Sequence, residues 1–423
     1  MDPKKRAVEF GRRLKAVREK NGDSLRQIER RSGLNNGYLS QLEHGKIIHP
    51  SPSVLQKVAQ GYGIRFEDLL QWTGYVTGPQ AEVTPKQAIA LNTVSELGEP
   101  TDEELETLKA IVGLLRSKRV ATFAAHTDLE LDVAATTEIR RQVLALLREA
   151  EALGRRPTPL EDIQDAARLV LSGEITLDAR DRAGLVARFG KWVDIAWKRL
   201  RGAFDYRTSA IWVSPDLHAM KRRFVVSHEI GHAILPAHKQ TFAYIDDFTC
   251  LPPFARDLFE REANYAAAEV LFQGGQATDE FDSSPHALSR VCDLSTAFGA
   301  SVVATARYVA ETSRRPLAVA VAHWNDRGLG RTHIYTSPKF EAAFGWRTGN
   351  WPRSEVRSAL LSARAGGEET WVVENLRREP RIVNAEKMDT GYAAIVIAIP
   401  ESRTEAMKRK IGRRPSSAIV LPR

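Results

Sequence analysis

Cysteine is scarce in this sequence, since the chain of 423 residues holds only Cys250 and Cys292. Two cysteines cannot build a disulfide framework, so the composition excludes a small disulfide-stabilised secreted protein and indicates a reducing cytoplasm. Long apolar runs are lacking too, and the N-terminal residues have no hydrophobic core of a signal peptide. We therefore expect a cytoplasmic protein without a membrane partner. The length allows two to four domains with cores of their own.

Positive charge is concentrated near the N-terminus. The formal net charge is +8, and residues 1–75 hold 14 Lys and Arg against 8 Asp and Glu. Such a basic block is typical of a surface that contacts nucleic acid. A solvated basic surface would have the same composition, so charge alone leaves both interpretations open.

Apolar and capping residues predict five short helices in this block. Ser24 and Gln27 form a capping box for a helix over 25–31, and a glycine turn at Gly33 leads into another helix that ends by Gly45. Two more helices are predicted over 52–60 and 66–72. The first helix is marked by apolar residues at three positions, Val8, Leu14 and Val17.

The stretch from Ser24 through Gly33 to Gly45 resembles the helix-turn-helix of the Cro/phage-repressor (XRE) family. The resemblance implies an all-α five-helix domain over 1–75 that binds double-stranded operator DNA in the major groove. Asn and Gln side chains can read adenine edges, whereas arginine is expected at phosphates. A helical domain that binds a protein is the alternative. The residues predicted to contact DNA are Asn35, Asn36, Ser40, Gln41 and Arg26.

Residues 76–120 are predicted to form a connector. Its first part is rich in Thr, Pro, Gly and Glu, as linkers are, and Thr101 and Glu104 then form a second capping box. The helix that follows has a narrow apolar stripe. This stripe could be the seam of a homodimer, which would suit a palindromic operator, or it could pack on its own domain.

The segment His228-Glu229-Ile230-Gly231-His232 is an H-E-x-x-H pattern inside an apolar helical stretch, Phe224 to Leu235. Residues four apart share a helix face, so both imidazoles can bind one zinc ion. Glu229 would lie beside the water of that site and act as the general base of a hydrolase.

A zinc site of this kind needs a third protein ligand. Glu260 and Asn264 are four apart on a second predicted helix, so both can face the first one. We predict that Glu260 binds the metal and that Asn264 forms a hydrogen bond with a ligand imidazole. Glu262 points about 160° away from Asn264 and is the weaker candidate.

These segments, from Arg223 to Leu235 and from Glu260 to Ala267, resemble the ImmA/IrrE family of metallopeptidases. Residues 210–214 fit the short strand that precedes the zinc helix in that family. The resemblance covers roughly residues 130–275. It implies a mainly α zincin-like domain with a small sheet, placed here at 121–315, whose proteolysis relieves repression by a Cro-like repressor.

Other side chains near this site have weaker assignments. His218 and His238 could bind substrate but are more often surface groups, and Tyr244 could stabilise an oxyanion. Cys250 could occupy the water position of the zinc as a latch, or it could be a small buried residue. Glu269 is expected on a solvated face.

After Pro316 the pattern changes to strands over 317–323, 332–335, 370–374 and 392–399, with a helix over 354–364. We interpret 316–423 as an α+β sensor domain, similar in position to the GAF-like domain of some ImmA/IrrE relatives. Four tryptophans could stack on a single-stranded nucleic acid or a small-molecule inducer, although core positions are commoner for this residue. They are Trp324, Trp346, Trp351 and Trp371.

The sequence therefore predicts a multidomain regulator in which a DNA-binding domain is joined to a zinc endopeptidase. The predicted substrate is a repressor, either a partner or the chain itself, cleaved in a stress, DNA-damage or phage-defence response. One alternative is a non-enzymatic transcription factor that uses the peptidase fold to sense a ligand, and another is a toxin–antitoxin component with a protein partner.

Overall fold

A computed structural model describes residues 2–76, 89–93, 131–171, 200–205, 209–214, 217–244, 251–284, 287–346 and 351–401, with a few single positions between them. The chain forms two compact units, Met1–Gly274 and Gly275–Arg423. The predicted division into four parts, at 75, 120 and 315, stays a prediction. No helix in the described part of the chain is both long and apolar enough to cross a bilayer.

The first unit begins with the five predicted helices. Ser24 and Gln27 form the expected capping box, and Gly33 ends the second helix in the left-handed conformation, at φ 68°. The first helix forms as predicted, and its inner face consists of Ala7, Phe10 and Leu14, whereas Val8 is 57% exposed. The helices are α1 (Pro3–Lys20), α2 (Leu25–Ser32), α3 (Asn36–Glu43), α4 (Pro52–Tyr62) and α5 (Phe66–Trp72).

The rest of the first unit is rich in helices and contains one small sheet. The sheet order is β1-β3-β4-β2, and the strands are β1 (Ile89–Thr93), β2 (Val170–Leu171), β3 (Leu200–Asp205) and β4 (Ala210–Val213). The helices are α6 (Val133–Glu149), α7 (Leu160–Ala166), α8 (Ala219–Ile234), α9 (Pro236–Tyr244) and α10 (Pro253–Leu271). Strand β4 lies where the sequence predicted a strand. The helix predicted after Thr101 lies outside the described residues.

The five N-terminal helices share one hydrophobic core with the helices that follow the connector. Phe66 and Tyr75 belong to the same buried cluster as Phe242, Leu258 and Phe259 of α9 and α10. A common core means that the two parts hold each other in place through apolar burial. Polar contacts cross the same boundary as well: the Tyr38 hydroxyl with Asp132, Lys57 with Glu138, and Ser53 with Glu262.

The second unit contains a five-stranded sheet in which all pairs are antiparallel, in the order β6-β5-β9-β8-β7. The strands are β5 (Ala318–Asn325), β6 (Gly328–Thr336), β7 (Glu368–Glu374), β8 (Pro380–Asp389) and β9 (Ala393–Pro400). The helices are α11 (Gln276–Asp282), α12 (Ala287–Phe298), α13 (Val302–Thr312), α14 (Pro338–Phe344) and α15 (Arg353–Leu361).

Strand β8 and the four helices α11 to α14 of this unit were not predicted. Strand β8 begins at Pro380, and its polar and apolar residues do not alternate regularly as those of a half-buried strand do. The tryptophans contribute to the core, because Trp346 and Trp371 are only 2% and 6% exposed and Trp324 and Trp351 pack against the same cluster.

Candidate metal centre

Helix α8 holds His228, Glu229 and His232 inside the first unit. The three side chains lie among apolar residues of the helix and are at most 1% exposed. Polar groups are rarely buried without partners, and burying two imidazoles and a carboxylate side by side costs free energy unless something binds them. Their burial is therefore a first indication of a binding site.

Helix α10 brings Glu260 to the two imidazoles. The Nε2 atoms of His228 and His232 are 3.0 Å apart, and the Glu260 carboxylate oxygens lie 3.3 Å from the first and 3.5 Å from the second. Ligand bonds of about 2.0–2.1 Å at tetrahedral angles would separate the ligand atoms by roughly 3.3 Å. The donor set and its spacing therefore fit a zinc ion, and these three residues form the candidate metal cluster.

The protonation of the two imidazoles suits metal binding through their Nε2 atoms. The Nδ1–H of His228 can donate to the Asn264 side-chain oxygen at 3.0 Å, which leaves the Nε2 lone pair facing the cluster. Burial lowers the pKa of His232 to about 3, so that ring is neutral as a metal ligand must be. Although burial opposes it, the Glu260 carboxylate raises the pKa of His228, which indicates a preference for positive charge at this point.

Glu229 differs from its neighbours because neither carboxylate oxygen has a hydrogen-bond partner, although the side chain is fully buried. Burial raises the pKa of Glu229 to about 8, and the Glu260 carboxylate contributes to the rise. Burial also raises the pKa of Glu260, but hydrogen bonds from His228 and His232 outweigh it and lower that pKa to about 2. The two carboxyl groups thus have different affinities for protons, as a general base and a metal ligand need.

Two glycines permit the close approaches around Glu229. A Cβ on Gly202 of β3 would lie 2.7 Å from a Glu229 carboxylate oxygen, and a Cβ on Gly231 would lie 2.9 Å from the Ala263 carbonyl oxygen of α10. The first contact sets β3 beside the carboxylate, and the second sets the distance between the two helices that carry the cluster. Neither role was predicted from the sequence. The glycine inside the H-E-x-x-H motif and the glycine in β3 were the available signals.

A buried hydrogen-bond chain leads away from His232. Its Nδ1 lies 2.9 Å from Nδ1 of His238, whose Nε2 lies 3.0 Å from a carboxylate oxygen of Glu262. The interpretation of His238 as a surface group is wrong, because α9 packs against α4 and leaves this ring fully buried. Glu262 does point away from the cluster, as the helical spacing predicted, and it contacts His238 and Ser53.

The structure also shows the environments of His218 and Glu269. His218 is exposed at the start of α8, as expected of a surface group. Glu269 is fully buried and paired with Arg140 at 2.8 Å, so the prediction of a solvated face is wrong because α6 covers it. Cys250 and the side chain of Tyr244 lie outside the described residues, so their proposed roles stay predictions.

Four of the predicted DNA-contacting residues lie on α2 or α3, and the fifth, Asn35, directly precedes α3. Arg26, Asn35 and Gln41 are exposed, whereas Asn36 and Ser40 are half-buried. Asn35 also caps α3, because its side-chain oxygen accepts from the Tyr38 amide at 2.8 Å. Its side-chain amide nitrogen is a donor that this cap does not use. The contacts of all five residues with DNA stay predictions.

Two family models match this chain. One, described as Helix-turn-helix, matches residues 14–69, and the other, described as IrrE N-terminal-like domain, matches residues 194–309. The first covers α2 and α3, and the second contains His228, Glu229, His232 and Glu260. The matches agree with the two resemblances that the sequence motifs indicated.

Individual relatives are regulators. The HTH-type transcriptional repressor RghR of Bacillus subtilis (strain 168) is 33% identical over 67 residues, which are 16% of this chain and 50% of that protein. The HTH-type transcriptional regulator DdrOP3 of Deinococcus deserti is 33% identical over 108 residues, which are 25% of this chain and 81% of that protein. The chain thus spans only half the length of the first relative.

A solved structure described as a Mycobacterium tuberculosis transcriptional regulator is similar over 76% of this chain and 100% of its own, at 12% identity. Its TM-score of 0.39 is too low to establish a shared fold.

Proposed function

The chain belongs to the family of HTH-type transcriptional regulators, and from that premise we propose that it is a DNA-binding regulator with a zinc-dependent endopeptidase site of the zincin type. The substrate of this site is a repressor, either a partner protein or the chain itself. Its cleavage relieves repression in a stress, DNA-damage or phage-defence response. The C-terminal unit with its antiparallel sheet receives the inducing signal, a small molecule or single-stranded DNA.

One observation carries the peptidase part of this proposal. The Nε2 atoms of His228 and His232 and the two carboxylate oxygens of Glu260 converge at 3.0–3.5 Å. The carboxylate of Glu229 lies beside them, buried and without a hydrogen-bond partner. A structural zinc site closes its fourth position with another protein ligand, whereas a catalytic site leaves that position to water. A cluster of three ligands with an adjacent free carboxylate supports the catalytic alternative.

In the proposed reaction, the residues of the candidate site have separate roles. A bound zinc ion would supply the Lewis acidity that activates a water molecule and polarises a peptide carbonyl. Glu229 takes the proton of the attacking water and then delivers it to the leaving amine. Asn264 holds the His228 ring in the tautomer that presents Nε2 to the cluster.

The position of the connector supports cleavage in cis. Strand β1, from the connector, pairs antiparallel with β3, and Asn92 lies opposite Gly202 in that register. Gly202 is the residue of β3 that approaches Glu229. Peptides commonly bind by adding a strand to a sheet, so a connector segment in this register is a suitable cis substrate.

The DNA-binding part of the proposal depends on α3. Asn35, Gln41 and Arg26 are exposed on the two helices of the motif, and amide side chains there can pair with adenine in the major groove. The basic composition of residues 1–75 favours contact with the phosphate backbone. We propose a double-stranded operator, bound by a homodimer if the site is palindromic.

The test uses the purified full chain with one equivalent of zinc, incubated with candidate repressors in the presence and absence of single-stranded DNA. We expect cleavage of a repressor or of the connector, detected by mass spectrometry. Glu229→Gln should abolish cleavage and still bind zinc, whereas Glu149→Gln, an exposed control on α6, should cleave normally. Equal cleavage by Glu229→Gln, or intact proteins under every condition, would refute the peptidase assignment and favour a ligand-sensing transcription factor.

A further inference from the structure

Helix α4 of the DNA-binding region has an unusual N-terminal cap. Its own N-cap residue, Ser51, makes no side-chain cap bond, and the Ser51 hydroxyl has no partner. The carboxylate of Glu262, from α10, takes that role: it accepts from the Ser53 amide at 2.9 Å and from the Ser53 hydroxyl at 2.8 Å. A carboxylate is favoured there because the first N–H groups of a helix have no partners within it.

The same carboxylate is connected to the candidate metal cluster. With Glu262 as acceptor, the Nε2–H of His238 points to it, so Nδ1 of His238 is the acceptor for the Nδ1–H of His232. This pattern leaves Nε2 of His232 free to bind a metal. One consistent set of protons therefore runs from the N-terminus of α4 to the cluster, through Glu262, His238 and His232.

The hydrogen bonds connect a buried negative charge, on Glu262, to the candidate metal cluster. Glu262 is fully buried, and among the described residues no lysine or arginine forms an ion pair with it. A buried carboxylate is costly without compensating charge, and its hydrogen-bond donors offset only part of that cost. A dication on His232 would supply positive charge at the far end. Phe259 lies 4.7 Å from the His238 ring between centroids, and apolar surroundings of this kind strengthen each bond.

We call this series of hydrogen bonds, from Ser53 through Glu262 and His238 to His232, the α4 relay. We propose that the α4 relay couples metal binding to the packing of the DNA-binding helices against α10. A metal on Nε2 of His232 makes its Nδ1–H a stronger donor, which tightens the bonds to His238 and Glu262 and the cap on α4. By linkage, the cap raises metal affinity by the same factor. The coupling rests on the proposed metal site but not on proteolysis. His238, Glu262 and Ser53 are positioning residues.

The first test measures zinc affinity of the full chain by competition with a chromophoric chelator. Ser53→Ala removes one bond to Glu262 and keeps the amide, and we expect zinc affinity about threefold to tenfold lower than that of the wild type. Glu262→Gln should lower zinc affinity by about tenfold or more, as the loss of a hydrogen-bond partner behind a metal ligand does. Lys57→Met is the matched control, because it breaks the ion pair with Glu138 across the same boundary without touching the α4 relay.

The second test is hydrogen exchange of the segment that contains the Ser53 amide. In the wild type, zinc should slow the exchange of this amide by about the same factor by which Ser53→Ala lowers zinc affinity. This slowing should be absent in Glu262→Gln. Zinc affinity of Ser53→Ala within twofold of the wild type would overturn the coupling. So would an equal loss in Lys57→Met, which would indicate general loosening. A wild-type chain that binds no zinc would instead refute the metal site itself.

Discussion

Replacing Gly231 by alanine tests whether the contact between α8 and α10 sets the geometry of the metal cluster. Gly231 lies between His228 and His232 in sequence and faces α10, where Glu260 is located. An alanine Cβ at this position would lie 2.9 Å from the Ala263 carbonyl oxygen and 3.0 Å from the Ala266 Cβ. The first neighbour is backbone, so relief requires a movement of helix α10.

The size of the effect follows from these distances. Ordinary contacts lie at about 3.5–4.0 Å, so α10 must retreat by roughly 0.5 Å. Overpacking of this kind costs about 1–3 kcal/mol of unfolding free energy, and the gain from replacing a helical glycine offsets about 0.5–1 kcal/mol. The expected net change is therefore a loss of up to about 2.5 kcal/mol of unfolding free energy. Moving Glu260 by a similar distance exceeds the tolerance of about 0.2 Å for a ligand bond, so zinc affinity should fall about tenfold.

The assay is urea unfolding of the metal-free protein, followed by zinc titration against a chelator. Gly37→Ala is the control, because Gly37 also lies in a helix, α3, and its added Cβ would meet only the Asn35 side-chain oxygen at 3.4 Å. Helix propensity alone predicts that both variants gain about 0.5–1 kcal/mol. A Gly231→Ala protein that is stabilised and binds zinc normally would refute the reasoning.

Two further predictions concern the other surfaces of the first unit. Asn35→Ala and Gln41→Ala should each weaken operator binding by about 1–3 kcal/mol and relax specificity at one base pair, measured by fluorescence anisotropy at fixed salt; unchanged sequence preference would contradict a role in base recognition. Burial raises the pKa of Glu138, but hydrogen bonds from Arg141 and Lys57 outweigh it and lower the pKa to about 2. Because that pKa lies below the ordinary glutamate pKa of 4.5, the stability that Glu138 contributes is present above pH 4.5 and is lost as the pH falls toward 2. Urea unfolding with a chelator present measures this. The difference in unfolding free energy between the wild type and Glu138→Gln should shrink as the pH falls over that range, and a constant difference would contradict the assignment.

The elements with strong local signals could be predicted from the sequence. Ser24 and Gln27 cap α2 through bonds to near neighbours, and Gly33 ends it, so the evidence for this helix lies within ten residues. The placement of His228, His232 and Glu260 together follows from spacing on two helices plus one close approach between them. Strand β8 was missed because its sequence carries little of the regular apolar alternation on which such predictions depend.

The environment of buried polar residues could not be predicted in the same way. Helical spacing placed Glu262 away from the metal cluster, but it could not indicate that α4 lies there, because Ser53 is 209 residues earlier in the chain. The burial of His238 and Glu269 likewise depends on α4 and α6, which pack from distant parts of the sequence. Tertiary contacts decided these positions, and periodicity carries no information about them.

The shared core also bears on the order in which the protein is made. Ribosomes add roughly 5–20 residues per second, so Glu262 is synthesised about 10–40 seconds after Ser53. Throughout that interval the DNA-binding helices exist as a nascent chain whose α4 lacks its cap and whose Phe66 and Tyr75 lack their partners from α9 and α10. A message truncated before α10 would therefore yield DNA-binding helices with exposed apolar surface, prone to association and to degradation. The DNA-binding region therefore buries its apolar surface in full only once α9 and α10 have been synthesised.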